Sequence, residues 1–243
     1  MPARSGGLGY ETHIGGARSR LAAVTIECIV GTSSNPTVVR FADCEPESWA
    51  NGAGVTRVIA KGWIRRSSND FDWRLSVADV TASGSFSALP GVDRVITLAD
   101  GPGLLLQVDD EEFALDPFRP LWFAGEARTQ CQVVEPTRDF NVMTRRDVCS
   151  ATVDIRVGSG ILAAPEGAIS YVVALKGQAN VSLSDDDVVM LEQFDAVMLT
   201  AAAELRVVGD GRVAVIRISP RSIPLKQSAN RCAEFGTDGF ATQ

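Results

Sequence analysis

Hydrophobic and polar positions alternate along this chain in short runs, with hardly any window at helical period. The runs Thr37–Phe41, Val55–Ala60, Trp73–Val80, Val92–Leu98, Gly103–Val108, Ala127–Val134, Phe140–Arg145 and Val153–Val157 predict a first set of β-strands. A second set follows at Ile169–Leu175, Ala179–Leu183, Val188–Leu191, Ala196–Thr200, Leu205–Val208 and Val213–Ser219. Turn residues separate them, among them Pro90–Gly91, Asp100–Gly103, Gly209–Gly211 and the acidic tip Asp185–Asp187. Many short strands spaced about ten residues apart predict sandwiches or barrels. Val95–Val108 and Tyr171–Leu183 repeat one pattern, strand, glycine turn, strand, so two tandem β-barrels are expected, over 37–148 and 149–220. Residues 1–36 read as a disordered or extended leader and 221–243 as a tail. Leu21–Val30 follows Arg18 and Arg20 as a secretory leader would, but Glu27 and the want of a small-x-small site argue against one.

Alternation also assigns faces. Arg74, Ser76 and Ala78 share one side of their strand, opposite Trp73, Leu75 and Val77. That side is either a lumen with room for a ligand or a solvent face. Asn141, Met143 and Arg145 alternate against Phe140, Val142 and Thr144; Met143 alone would be core filling, while Asn141 and Arg145 suit polar contacts at a barrel mouth. Thr56 and Arg57 open a strand on opposite faces, so only one looks inward. Asn51, in a glycine-containing loop, either caps its turn or presents its amide to a ligand. Trp49 is a lid or a plug.

Composition narrows the chemistry. The 243 residues hold one histidine, His13, inside the leader, so the barrels have no imidazole for a metal centre or for the proton shuttle of a serine or cysteine hydrolase. No metal and no cofactor is expected. A net charge of −7 argues against nucleic acid as a partner, and no apolar run is long enough to span a membrane. Five scattered cysteines without a C-x-x-C pair suit the cytoplasm; Cys149, with no histidine to activate it, reads as structural. Only Lys61, Lys176 and Lys226 are lysines; the other cations are arginines, whose planar fork suits carboxylates. The acidic clusters Asp109–Glu112 and Asp185–Asp187 read as solvated hairpin tips.

The hairpins resemble the cupin signature, in which a glutamate lies seven positions before the hairpin glycine and two histidines precede it. Counting back from Gly101 places Arg94 at the glutamate and Ser87–Pro90 at the histidines; counting back from Gly177 places Ser170. A cation stands where a metal ligand would stand. Four elements then add a more specific likeness: Trp49–Arg57 (WANGAGVTR), Phe71–Ala78 (FDWRLSVA), Phe86–Arg94 (FSALPGVDR) and Phe140–Cys149 (FNVMTRRDVC). In this order and spacing they resemble the HutD/Ves family of bicupins, the last being most similar to the Ves branch. The resemblance implies an all-β, metal-free bicupin tied to histidine utilisation and stress response, binding small carboxylates such as urocanate or N-formylglutamate and governing pathway flux.

Candidate ligand-binding residues are therefore Arg94 and Arg74 as anion clamps, with Ser76, Asn51, Thr56, Arg57, Trp49, Asn141, Met143 and Arg145 around them. The alternative for Arg94 is an internal ion pair with Asp79 or Asp93. Two other functional classes stay open. One is a metal-independent isomerase or lyase acting on an amino-acid-derived acid, with Asp79, Asp93, a tyrosine or a cysteine carrying the proton. The other is a purely structural bicupin, for which a filled lumen and a homodimer would speak.

Overall fold

A computed structural model describes residues 25–26, 37–64, 69–184, 187–199 and 204–221, which form strands and one short 3-10 turn (Phe41–Asp43) with no α-helix among them. The strands are β1 (Thr25–Ile26), β2 (Thr37–Val39), β3 (Pro46–Ser48), β4 (Gly54–Gly62), β5 (Trp73–Val80), β6 (Gly84–Ser85) and β7 (Val92–Asp100). Next come β8 (Leu105–Val108), β9 (Glu111–Ala114), β10 (Leu121–Ala124), β11 (Thr129–Gln132), β12 (Thr137–Arg145) and β13 (Cys149–Val157). The last are β14 (Gly160–Ala163), β15 (Ile169–Lys176), β16 (Ala179–Ser184), β17 (Asp187–Leu191), β18 (Ala196–Leu199), β19 (Glu204–Val208) and β20 (Arg212–Pro220). The expected all-β class is what forms.

Four sheets result. A large sheet in the order β1-β4-β5-β12-β7-β10, with β3 also on β4, faces a small one, β6-β11-β8-β9. A second large sheet, β13-β20-β15-β18-β2, faces β14-β19-β16-β17. Apart from the parallel pair β1–β4, the pairings are antiparallel. The opening strand β2, expected in the first barrel, hydrogen-bonds instead to β18 of the second, Val38 opposite Val197. Of the leader, Thr25–Ile26 alone is described, paired with Lys61–Gly62. Its remainder, with His13 and Cys28, lies outside the described residues, as does the tail beyond Arg221 with Cys232.

The two large sheets pack face to face. Alternation in β5 and β12 sends Trp73, Leu75, Val77, Phe140 and Val142 into this central layer, where Tyr171, Val173, Ile216 and Ile218 meet them. The Trp73 and Tyr171 rings lie 5.5 Å apart at its middle. Burying each such side chain contributes roughly 1.5–3 kcal/mol, and β-branched and aromatic residues fit the pleated surface.

The opposite faces of the large sheets line the barrel interiors, and these differ. In the second barrel Val172, Ala174, Val197, Leu199, Val213 and Val215 meet Val181, Leu191, Leu205 and Val207 in an apolar core. In the first, an apolar floor (Ile96, Leu98, Leu104, Leu106) gives way to polar side chains toward one end. The turn after β7 depends on Gly101, at φ 100°, where a Cβ would come 2.8 Å from the Thr137 Cα.

Candidate functional site

Three neighbouring strands, β5, β12 and β7, build the polar end of the first barrel in register rows. Arg74, Met143 and Arg94 stand opposite one another in the first row. Ser76, Asn141 and Ile96 form the second, and Ala78, Asp139 and Leu98 the third. Rows on one face are two residues, about 7 Å, apart along each strand. All of these side chains except Ile96 and Leu98 border a cavity of about 340 Å³ whose other walls include Trp49, Asn51, Thr56 and Phe86.

Among the described residues, the two arginines are held without counter-ions. Arg94 is 6% exposed, with its guanidinium between the Phe86 and Phe123 rings, 5.0 and 5.1 Å from their centroids. Its Nη2 donates to Asn141 Oδ1 at 3.1 Å, while its Nε makes no hydrogen bond among the described residues. Burial pulls Arg94 down to about 10, Asp139 pushes the other way, and nearby Arg74 adds to the lowering. Arg74 lies 5.0 Å over the Phe71 ring and its Nη2 meets Met143 Sδ at 3.1 Å. Burial lowers its pKa too, against the fields of Asp70 and Glu47. Among the described residues, no carboxylate forms an ion pair with either arginine.

Deeper in the wall stands Asp139, fully buried. Asn141 Nδ2 donates to its Oδ1, and its Oδ2 has no hydrogen-bond partner among the described residues. Burial pushes Asp139 up to about 7, against the opposing pull of Arg94 and Asn141 and with a small push from Asp79.

The aromatic side is braced separately. Trp49 Nε1 donates to Thr56 Oγ1 at 2.7 Å, and its ring meets Phe86 edge-on at 5.5 Å. Asn51 caps its turn by accepting from the Ala53 amide at 3.1 Å and reaches the Ser85 carbonyl at 3.2 Å. Gly54 follows because a Cβ there would lie 2.5 Å from the Asp79 carbonyl oxygen and 3.3 Å from the Trp49 ring.

The HutD family model matches residues 41–216. The chain belongs to the HutD family. It is 38% identical to protein Ves of Cronobacter sakazakii over 135 residues, which are 54% of this chain and 73% of that protein. HutD from Pseudomonas fluorescens SBW25 superposes with a TM-score of 0.68 at 28% identity, covering 77% of this chain and all of that one. A cupin 2 conserved barrel domain protein from Leptotrichia buccalis shares the fold alone, at TM-score 0.50 and 10% identity over 76% of this chain and 96% of that one.

In this HutD-family chain, a cupin metal set does not fit the first barrel. Its interior offers two guanidiniums beside one carboxyl, and no group of three or more His, Cys, Asp or Glu suited to a metal exists among the described residues. Eight of the ten residues singled out from the sequence border the one cavity: Arg94, Arg74, Ser76, Asn51, Thr56, Trp49, Asn141 and Met143. Arg57 and Arg145 do not. Thr56 takes the inward position, which turns Arg57 to the other face, where it pairs with Asp79 at 2.6 Å and lies over Phe41. Arg145 falls at the last residue of β12, beyond the arginine row.

The ion-pair alternative for Arg94 fails because both carboxylates are engaged elsewhere. Asp79 pairs with Arg57 and Arg138, and Asp93 with Arg146. The same engagement takes them away from the cavity as proton carriers. Cys149 is buried, donates to the Asp72 carbonyl at 3.3 Å, and is pushed up to about 12 by burial, which suits a structural thiol. Asp139, Phe86 and Phe123 were not among the sequence candidates. Asp139 is signalled by its two-residue spacing from Asn141, but the strand predicted from Phe140 leaves it out; β12 begins three residues earlier, at Thr137.

Proposed function

We propose that this chain binds a small carboxylate metabolite in the first-barrel cavity, clamped by the guanidiniums of Arg94 and Arg74, in a regulatory or metabolite-buffering role in histidine utilisation or stress response. One observation carries the reading: two largely buried arginines border the same cavity and neither has a carboxylate partner among the described residues. Desolvating such charges costs several kcal/mol, and a ligand carboxylate in the fork of Arg94 offsets that cost with charge-assisted hydrogen bonds. Asn141, Ser76 and Thr56 supply neutral hydrogen-bonding groups for orientation, and Trp49 and Phe86 supply an apolar wall.

Family membership favours acids of the urocanate or N-formylglutamate type. The Pseudomonas fluorescens HutD structure is described as a formate condition, and formate is the smallest carboxylate. A purely structural role suits the filled second barrel better than the first. The test is thermal denaturation with a panel of small acids. A ligand at about 100 times its Kd adds about 2.7 kcal/mol to stability. The Arg94→Ala variant is expected to lose that gain, and an undiminished gain in the variant refutes the reading.

A further inference from the structure

Carboxylate binding by the two arginines leaves Asp139 unused, although it forms part of the same wall and is fully buried. Asn141 accepts from Arg94 through Oδ1 and donates to Asp139 through Nδ2, which fixes the orientation of its amide. Asp139 Oδ1 is therefore occupied as an acceptor, and Oδ2 lacks a hydrogen bond among the described residues. A buried carboxylate oxygen with no donor is costly as part of an anion. Protonated, the same oxygen becomes a donor in need of an acceptor.

We propose that Asp139 holds the ligand as a neutral carboxylic acid, donating from Oδ2 to an acceptor on the bound molecule, so that the cavity takes up a carboxylate and one proton together. This rests on carboxylate binding at Arg94 and Arg74. It narrows the ligand to acids with a second, neutral acceptor, such as an amide or formyl oxygen or an unprotonated ring nitrogen. That acceptor sits one register row beyond Asn141, about 7 Å along the strand.

The surrounding groups set the direction of the coupling. Arg94 on β7 and Asn141 on β12 favour the Asp139 anion, while burial and Asp79 on β5 favour the acid. Cys131 on β11 is held protonated by burial and feels Asp139 as a further upward push. Arg57 and Arg138 are taken by Asp79, and Arg74 acts on Arg94 from the first row. An arriving carboxylate neutralises the support of Arg94 and adds a negative charge nearby, so Asp139 draws its proton from bulk water. In the free protein Asp139 already titrates near neutrality, pushed up to about 7.

The experiment is isothermal titration of the full chain with N-acetylglycine, and with propionate as a carboxylate lacking the second acceptor. It is run from about pH 7 to 8.5 in HEPES and in Tris, whose ionisation heats differ and which add no small anion to compete for the arginines. The expected results are tighter binding of N-acetylglycine than of propionate, about one proton taken up per ligand at pH 8, and a Kd that weakens toward tenfold per pH unit above the Asp139 titration. Asp139→Asn keeps a donor at that position and is expected to bind with a flat pH profile and no buffer dependence. Wild-type binding without proton uptake, or an unchanged pH slope in Asp139→Asn, overturns the inference and leaves carboxylate binding standing. Failure of both acids to bind, or equal binding by Arg94→Ala, removes carboxylate binding itself and this inference with it.

Discussion

Arg94 and Asn141 are joined across the β7–β12 pair by a 3.1 Å hydrogen bond, the guanidinium's one polar anchor among the described residues, and two phenylalanine rings give the rest of its support. The anchor is neutral. The positive charge therefore stays uncompensated at the cavity wall, where it is available to an anion.

Replacing Arg94 by Met separates function from stability. Burial lowers the folded-state pKa of Arg94 to about 10, below its ordinary value, so its charge opposes folding at every pH below about 10. Arg94→Met is expected to raise the stability of the ligand-free protein by about 1–2 kcal/mol, read by urea denaturation, while abolishing stabilisation by carboxylates. A loss of several kcal/mol would instead make Arg94 a structural strut.

The ligand-free protein should lose stability as pH rises toward neutrality. Asp139 binds its proton more tightly when folded, its pKa rising from 3.8 to about 7. The contribution of its neutral form is fully present below pH 3.8 and is lost as pH climbs through about 7. Asp139→Asn should flatten this part of the denaturation profile and be the more stable protein above neutrality. Coincident profiles for the two proteins would contradict the assignment.

Glu126 works in the opposite sense. Its hydrogen bonds to Arg146, at 2.7 and 3.0 Å, hold it down at about 2. Whatever stability this exposed pair gives is present above 4.5, the ordinary glutamate value, and fades as pH falls toward 2. Glu126→Gln should change stability only slightly, in a salt-sensitive way, and leave ligand affinity unaltered.

Gly54→Ala is expected to cost about 1–3 kcal/mol, because its Cβ meets the rigid carbonyl of Asp79 at 2.5 Å. The displaced β4 pushes on Trp49, so altered tryptophan fluorescence and weaker carboxylate binding should accompany the loss. In the second barrel, Leu205→Ala should cost about 2–5 kcal/mol through the cavity it opens. Carboxylate affinity measured well below its melting temperature should not change.

Much of the site could be read from period-two arithmetic. Arg74, Ser76 and Ala78 fall on the lumen face because Trp73, Leu75 and Val77 are apolar enough to claim the other. The same arithmetic, extended one residue before Phe140, would have reached Asp139. It left Thr56 and Arg57 undecided, since both tolerate a half-buried position; the pairing of Arg57 with Asp79 resolves them, and that partner comes from the neighbouring strand. Strands β9, β10 and β14 were not anticipated. Glu111–Glu112 reads as a polar tip, and Leu121–Ala124 and Gly160–Ala163 are too short to alternate, so Phe123, which stacks on Arg94, went unseen.

The seating of Thr37–Val39 against Ala196–Leu199 constrains how the molecule is assembled. Thr37–Val39 waits for its edge until the chain through β18 has been synthesised, a long-range closure of the kind that slows folding. Fragments cut near residue 148 would inherit this dependence: the downstream piece keeps an open backbone edge along β18, and the upstream piece carries an apolar strand with nowhere to dock. Mixing the two pieces should restore by complementation what each lacks.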